Sequence, residues 1–527
     1  EVRQALQLTD KQLMQDKIEV PAYRMLYLDE TLQENAMMEV IRDVSFASRI
    51  EKLQNPDFEK EYVPDSLKGI LREYQKAGAA WIGMLYSNRF GGILADDMGL
   101  GKTLQVISFL LTEHTGCSLI VCPASLVYNW KHELERFAPS LKADMVTGNV
   151  QQRKEVLDRW KEVDVLITSY DLLRRDITDY QELHFFCEVI DEAQYIKNHG
   201  TQAARAVKQV QTGFRLALTG TPIENRLSEL WSIFDYLMPG YLYSYQRFRI
   251  ELEQPIVQHK DEDAAKRLQR LIRPFVLRRL KKEVLQDLPD KLEENLYADM
   301  DGEQQELYDA HVRRMKLMLE EKSDEEIRTD KIEILAELTR LRQLCCDPAL
   351  LYDNYKGGSA KTELVRGLIR NAVENGHKVL LFSQFTTMLE RLYRILEEEK
   401  IASHMLTGAT PKEKRIEMVE SFAHDDVPVF CISLKAGGTG LNLTAADVVI
   451  HFDPWWNSAV QNQATDRAHR IGQKNVVNVY RILAKGTIEE KIVELQERKL
   501  QLSDRILGGE SLQAQGLTRE ELLELLR

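Results

Sequence analysis

Three groups of residues in this 527-residue chain have the types and spacing that phosphate chemistry requires. The first lies in "ILADDMGLGKTLQ" (93–105), where an apolar run leads into glycines and a lysine. Gly99 and Gly101 allow backbone N–H groups to turn toward a phosphate. Lys102 would then reach the β- and γ-phosphates of a nucleoside triphosphate, and Thr103 would hold Mg²⁺. The full phosphate-loop pattern asks for glycine five residues before Gly101, and Asp96 stands there instead. The second group is Asp191 and Glu192, which close the apolar run "FFCEVID" 89 residues beyond Lys102. Acid pairs at strand ends are commonly solvated or cap helices. In the same lobe as a phosphate loop, Asp191 reads as a Mg²⁺ ligand, direct or through water, and Glu192 as the group that activates the attacking water. The third lies in "DPWWNSAVQNQATDRAHRIGQ" (453–473), where Gln463, Arg467 and Arg470 would share one face of a helix. That face is either solvated surface or a docking face for an anion.

These groups need a scaffold that delivers them. Between residues 90 and 221, short apolar runs alternate with helix-like stretches: "GGILAD" (91–96), "CSLIVCP" (117–123), "DVLITSY" (164–170), "FFCEVID" (185–191) and "FRLALTG" (214–220). The runs are continuous, as in strands buried on both faces of a parallel sheet. The rhythm resumes with "KVLLFS" (378–383), "VFCISL" (429–434), "VVIHFD" (448–453) and "VVNVYRIL" (476–483). This predicts two α/β lobes, each a doubly wound parallel sheet. Residues 225–355 break the rhythm with Leu, Glu, Lys and Arg at helical spacing and read as a helical insertion. Gly357, Gly358 and Ser359 supply a flexible point in the linker that follows. After the second lobe, residues 487–507 read as a charged amphipathic helix, and Thr518 heads a capping-box pattern with Glu521. The expected organisation is an N-terminal segment (1–65), lobe one (66–245), helical insertions and linker (246–355), lobe two (356–486) and a C-terminal helical brace (487–527).

With 44% hydrophobic and 29% charged residues, the composition is that of a soluble globular protein of two to four domains. No apolar run is long enough to span a bilayer, and no charged-then-apolar leader is present, so no membrane partner and a cytoplasmic location are expected. The chain begins at Glu1 without methionine, as a piece of a longer protein would. A net charge of −13 argues against a surface coated in nucleic acid but leaves room for local patches. One runs from Lys266 to Lys282, with eight basic residues before the first acid, Glu283. It is either a packed helix with solvated charges or a nucleic-acid contact. The six cysteines show no CxxC spacing and read as structural thiols of a reducing compartment rather than a zinc site.

From Leu71 to Gln473 the order of motifs resembles helicase superfamily two, and specifically its SWI/SNF-type DNA translocases. "LREYQKAGAAWI" (71–82) is similar to the adenine-reading segment, with Gln75 as its glutamine. "DDMGLGKT" (96–103) and "DEAQ" (191–194) are similar to the two nucleotide motifs. "VCPASLVYNW" (121–130) and "ITSYDLL" (167–173) resemble strand-tracking motifs, and "LTGTPIEN" (218–225) the motif that couples hydrolysis to lobe movement. "LLFSQFTTML" (380–389), "LKAGGTGLNLTAAD" (434–447) and "NQATDRAHRIGQ" (462–473) complete the series in lobe two. Gln194 departs from the usual DEAH, although glutamine retains the capacity to hydrogen-bond across the lobes. The arrangement looks most like bacterial members.

The resemblance implies two tandem RecA-like lobes with ATP and Mg²⁺ between them. Lobe one would supply Gln75, the loop residues Asp97, Met98, Gly99, Leu100 and Gly101, Lys102 and Thr103, with Asp191 and Glu192. Lobe two would supply Gln463, Arg467 and Arg470, the arginines reaching the γ-phosphate. It further implies a DNA-stimulated ATPase that moves along double-stranded DNA, near the nucleoid, and remodels a complex with a protein it leaves unidentified. Ser125, Thr168 and Ser169 would touch DNA phosphates, although hydroxyls at strand ends are more often capping groups. Trp455 and Trp456 read as packing before base stacking. His469 is either a ligand contact or a helix-face hydrogen bond. The competing readings are a strand-separating DNA or RNA helicase and an ATP-gated DNA scaffold that hydrolyses poorly.

Overall fold

A computed structural model of the chain describes residues 22–33, 41–54, 62–113, 115–220, 227–285, 289–322, 330–434, 442–455, 458–494 and Leu526. The described residues divide into two compact units, the first ending at Val284 and the second starting at Leu285.

The first unit is built on a parallel sheet. Its strands are β1 (Gly92–Leu94), β2 (Ser118–Cys122), β3 (Ala143–Met145), β4 (Val165–Ser169), β6 (Glu188–Ile190), β8 (Arg215–Leu218) and β9 (Val276–Leu277). They lie in the order β3–β4–β2–β6–β8–β1–β9, with every recorded pairing parallel. Two further short strands, β5 (His184–Phe185) and β7 (Gln211–Thr212), pair separately. β2 and β4 are buried at every residue, which is why their sequences run apolar without alternation. Because β8 lies between β1 and β6, the turns that follow all three open on the same sheet edge. Such carboxyl ends of parallel strands are where ligands bind in open α/β sheets. The N-terminal segment contributes as well. Met25, Leu26, Tyr27 and Ile50 enter the first unit's core, and the Arg24 guanidinium donates to Tyr241 O at 3.2 Å.

The second unit has a sheet of its own, formed by β10 (Lys291–Ala298), β11 (Val379–Ser383), β12 (Ser403–Leu406), β13 (Val429–Ser433), β14 (Val448–His451) and β15 (Val477–Ala484). Their order is β10–β15–β14–β11–β13–β12, again parallel. One apolar cluster lies around Leu381, Val429 and Ile450, and another around Phe382, Phe430 and Ile432. A third gathers the helices Gly302–Glu321 and Lys331–Cys346. The same unit holds a charge pair taken wholly out of water. Lys361 Nζ donates to both carboxylate oxygens of Glu489, at 2.9 and 2.8 Å, and both side chains are 0% exposed. All six cysteines are free thiols and buried.

The chain therefore consists of two tandem doubly wound α/β lobes. The segment read as one helical insertion is shared between them. β9 pairs with β1 at the edge of the first sheet, and β10 pairs with β15 at the edge of the second. The physical reason is their edge position. β9 is two residues long, and β10, "KLEENLYA", leaves most of its residues partly or fully exposed, so neither carries a buried apolar run. Of the expected brace beyond Glu494, only Leu526 is described, and it is buried in the cluster with the helices Gly302–Glu321 and Lys331–Cys346.

Candidate active site

The phosphate loop follows β1 and opens the helix Lys102–Thr112. Gly99 and Gly101 take positive φ of 82° and 77°, which turns successive N–H groups toward one side and leaves the helix N-terminus facing it. A Cβ on Gly101 would also lie 2.5 Å from Gln75 Nε2 and would push that amide aside. Lys102 Nζ curls back over the loop, donating to Asp96 O at 2.5 Å and to Asp97 O at 3.4 Å. Gln75 ties the helix Glu73–Ser87 to this loop: its Nε2 donates to Leu100 O at 3.0 Å and its Oε1 accepts from Arg72 N at 2.9 Å. Met98 lies against Gly220, and Thr103 is the second residue of its helix.

Asp96, the residue that departs from the phosphate-loop pattern, has its own partner. Its carboxylate accepts from Arg279 Nε at 2.9 Å and Nη2 at 2.5 Å, and from Gln105 Nε2 at 3.0 Å. Arg279 belongs to the basic run, which thus turns inward at this point. Arg267 pairs with Glu251 at 2.9 Å, and Lys281 is buried. Neither reading of that run anticipated the inward arginine.

Two places to the side of β1, at the end of β6, Glu192 adopts φ 52°, a left-handed conformation that costs a non-glycine residue energy. The turn is held from both sides. Asp191 Oδ1 accepts from Glu192 N at 2.8 Å, and its Oδ2 accepts from Trp130 Nε1 at 2.9 Å. Tyr170 OH donates to Asp191 O at 2.8 Å. Glu192 Oε2 accepts from Gln194 Nε2 at 2.8 Å, and Gln194 Oε1 accepts from Thr219 Oγ1 at 3.1 Å, at the end of β8. Gln194, read as retaining the capacity to bond across the lobes, makes these two bonds within the first unit. Burial, followed by the neighbouring Glu192 charge, pushes the Asp191 carboxyl up to about 7, against the pull of the Trp130 N–H and Lys102.

The first unit thus gathers Gln75, Asp97, Met98, Gly99, Leu100, Gly101, Lys102, Thr103, Asp191 and Glu192 at one sheet edge. The donor set fits a nucleoside triphosphate with Mg²⁺. Backbone N–H groups and an ammonium suit phosphates, while one carboxylate and one hydroxyl suit a cation that takes its remaining ligands from phosphate and water. Among the described residues, no three His, Cys, Asp or Glu side chains group as a metal site of their own. No described helix is long and apolar enough to cross a membrane.

In the second unit Gln463 lies on the helix Ser458–Thr465, which ends before the arginines. Arg467 and Arg470 therefore do not share a helical face with it. Ala468 N bonds to Thr465 O and Leu443 N to Arg467 O, which draws the chain into a turn. Gln473, to which sequence reasoning gave no role, holds that turn. Its Nε2 donates to Ala446 O at 2.8 Å and to Thr444 O and Ala468 O at 3.2 Å, while its Oε1 accepts from Lys474 N and Asn475 N. His469 Nε2 pairs with Pro289 O at 2.9 Å, and Trp455 packs against the apolar cluster around Phe382. Trp456 lies outside the described residues, as do residues 221–225 and 435–441 of two of the motifs. Of the three hydroxyls expected on DNA, Thr168 is buried and bonds Val146 O, and Ser169 is buried as the N-cap of the helix Tyr170–Arg175. Ser125 is half-buried.

Comparison with known families places this arrangement. The SNF2-related domain matches residues 74–350, more than half of the chain. The chain belongs to the SNF2 family. The helicase conserved C-terminal domain matches residues 360–472 of this SNF2 chain, and a bacterial SNF2 helicase associated domain matches residues 1–64. Among curated relatives, an "Uncharacterized ATP-dependent helicase" of Mycoplasma genitalium is 41% identical over 464 residues, covering 86% of this chain and 44% of that protein. A "Putative ATP-dependent helicase/translocase" of Bacillus subtilis is 40% identical over 479 residues, covering 88% of this chain and 51% of the relative. The chain spans about half the length of the curated relatives it matches. A solved Sulfolobus solfataricus SWI2/SNF2 ATPase core in complex with dsDNA is 37% identical, covering 86% of this chain and 95% of that one, with a TM-score of 0.44.

Proposed function

We propose that this SNF2 chain is a DNA-stimulated ATPase that moves along double-stranded DNA and remodels or displaces protein–DNA complexes. The observation that carries the catalytic part is the braced turn at Asp191 and Glu192, on the same sheet edge as Lys102 and its phosphate loop. Family membership and the relatives' names support the DNA part.

The residues divide the work by their chemistry. Lys102 and the loop N–H groups hold the phosphates, and Gln75 sets the adenine-reading helix against the loop. Thr103 and Asp191 would hold Mg²⁺, whose charge favours an ionised Asp191 and offsets charge on the phosphates. Glu192 orients and deprotonates the attacking water, with Gln194 fixing its carboxylate. Arg467 and Arg470 offset the charge that spreads over the phosphoryl oxygens. Such an arginine contributes about 10³–10⁵ in rate, or roughly 4–7 kcal/mol of barrier. DNA is held through its phosphates, with little sequence preference and a steep salt dependence.

The test is ATP turnover with duplex DNA, single-stranded DNA or RNA added, beside displacement of a triplex strand and of a duplex strand. Duplex stimulation with triplex displacement alone is the expected result. Stimulation only by single strands, with efficient duplex unwinding, would replace this reading with a strand-separating helicase. Lys102→Ala, Glu192→Gln and Arg467→Ala should each abolish stimulated turnover, and Arg467→Ala should still bind ATP.

A further inference from the structure

Two features of the sequence remain unused by this mechanism: the aspartate that breaks the phosphate-loop pattern and the basic run after residue 266. The structure joins them. The Arg279 guanidinium meets the Asp96 carboxylate through two nitrogens, donates from Nη2 to Gln105 Oε1 at 2.7 Å, and also reaches Tyr74 O. It lies 5.2 Å from the centroid of the Tyr74 ring, whose hydroxyl donates to Leu100 O at 3.0 Å. Three parts of the nucleotide site thus meet on one side chain: the helix carrying Gln75, the phosphate loop, and the helix that follows Lys102.

The backbone reinforces the join. Beyond the β1–β9 pairing the two segments stay in register, with Ala95 N bonding Leu277 O at 2.7 Å and Asp97 N bonding Arg279 O at 3.0 Å. Lys281 N then donates to Asp97 Oδ2 at 3.0 Å. Space is reserved for the guanidinium too. A Cβ on Gly78 would lie 1.7 Å from Gln105 Oε1 and 2.7 Å from Arg279 Nη2, so a larger residue there would have to displace the pair. Asp96 is 0% exposed, and a buried carboxylate without its cation is costly.

We propose that Arg279 is a positioning residue for nucleotide binding: it locks the adenine-reading helix to the phosphate loop, so that base and phosphates are recognised at a fixed separation. The proposal rests on the nucleotide site described above. Its signature is a loss of base discrimination with the chemical step preserved, because the Arg279 guanidinium is engaged by Asp96, Gln105 and Tyr74 and not by Lys102, Asp191 or Glu192.

The experiment measures KM and kcat for ATP and GTP, with duplex DNA present, and binding of a fluorescent ATP analogue, in wild type, Arg279→Ala, Arg279→Lys and Asp96→Asn. Arg279→Ala should raise KM for ATP at least tenfold, reduce the ATP-over-GTP preference in kcat/KM at least fivefold, and leave kcat within about threefold. Arg279→Lys, which keeps the charge but loses the two-pronged contact, should fall between. Should Arg279→Ala fail to fold, the near-isosteric Asp96→Asn must reproduce its KM and selectivity changes. Folded variants with wild-type KM and base preference would overturn the proposal, as would a loss confined to kcat. A wild-type chain that binds no nucleotide would instead sink the functional reading itself.

Discussion

Replacing Glu489 with glutamine should destabilise the second unit by an amount that shrinks as pH rises. The change leaves the Lys361 ammonium in a site that is 0% exposed, while glutamine keeps an oxygen for the Ala484 N–H that Glu489 now accepts. An ammonium stranded there has one escape, which is to lose its proton. From an unperturbed lysine value near 10.4, that costs about 1.36 kcal/mol per pH unit, or about 4.6 kcal/mol at pH 7 and about 1.9 at pH 9. These figures are ceilings, because Asp453 continues to favour the charged lysine. The general cost of breaking a buried pair, about 3–5 kcal/mol, agrees with the value at pH 7. Equilibrium urea unfolding at both pH values, read by circular dichroism, measures the loss. A loss below about 1 kcal/mol at pH 7, or one equal at pH 7 and pH 9, would refute the reasoning. The double variant Lys361→Met/Glu489→Leu removes both charges and should recover most of the stability.

Two other outcomes follow from single side chains. Burial, with Arg481 next, depresses buried His451 to about 3, so between that value and the usual 6.5 the unfolded chain binds a proton that the folded chain refuses. Its contribution to stability is therefore present above pH 6.5 and lost as pH falls toward 3. His451→Gln should flatten acid unfolding curves over that window, in the presence of the nearby Arg481, Glu293 and Lys291. Trp130→Phe removes the N–H that holds Asp191 while keeping an aromatic ring. A hydrogen bond to a charged group is worth about 1.5–3 kcal/mol, so the Mg²⁺ concentration for half-maximal turnover should rise about tenfold or more. Tyr170→Phe, which loses only a bond to the Asp191 backbone, should change it less.

Legibility from sequence followed burial. β2, β4, β11 and β13 are buried at every residue and were readable as continuous apolar runs. β3 and β9 were not, because half-buried edges need no such run. At the site, the phosphate loop and Asp191–Glu192 were visible because phosphate chemistry restricts both residue type and spacing. Their supports were not. Trp130 meets Asp191 across 61 positions and Arg279 meets Asp96 across 183, separations that no local pattern encodes. The helical reading of Arg467 and Arg470 failed for a different reason. Spacing alone cannot mark where a helix stops, and here Leu443 N and the Gln473 amide claim carbonyls just past Thr465.

The cysteines give the chain its own reporter of opening. Cys117, Cys122 and Cys187 lie in the first unit, and Cys345, Cys346 and Cys431 in the second, all buried. Burial pushes the Cys117 and Cys431 thiols up to about 12 and the other four upward as well. An alkylating reagent needs a reachable thiolate, and the closed fold supplies none. Labelling at each position therefore times the excursions that expose it. A pulse of iodoacetamide followed by peptide mass measurement would yield two independent clocks, one per unit, from unmodified protein. Adding nucleotide or DNA would show which clock slows.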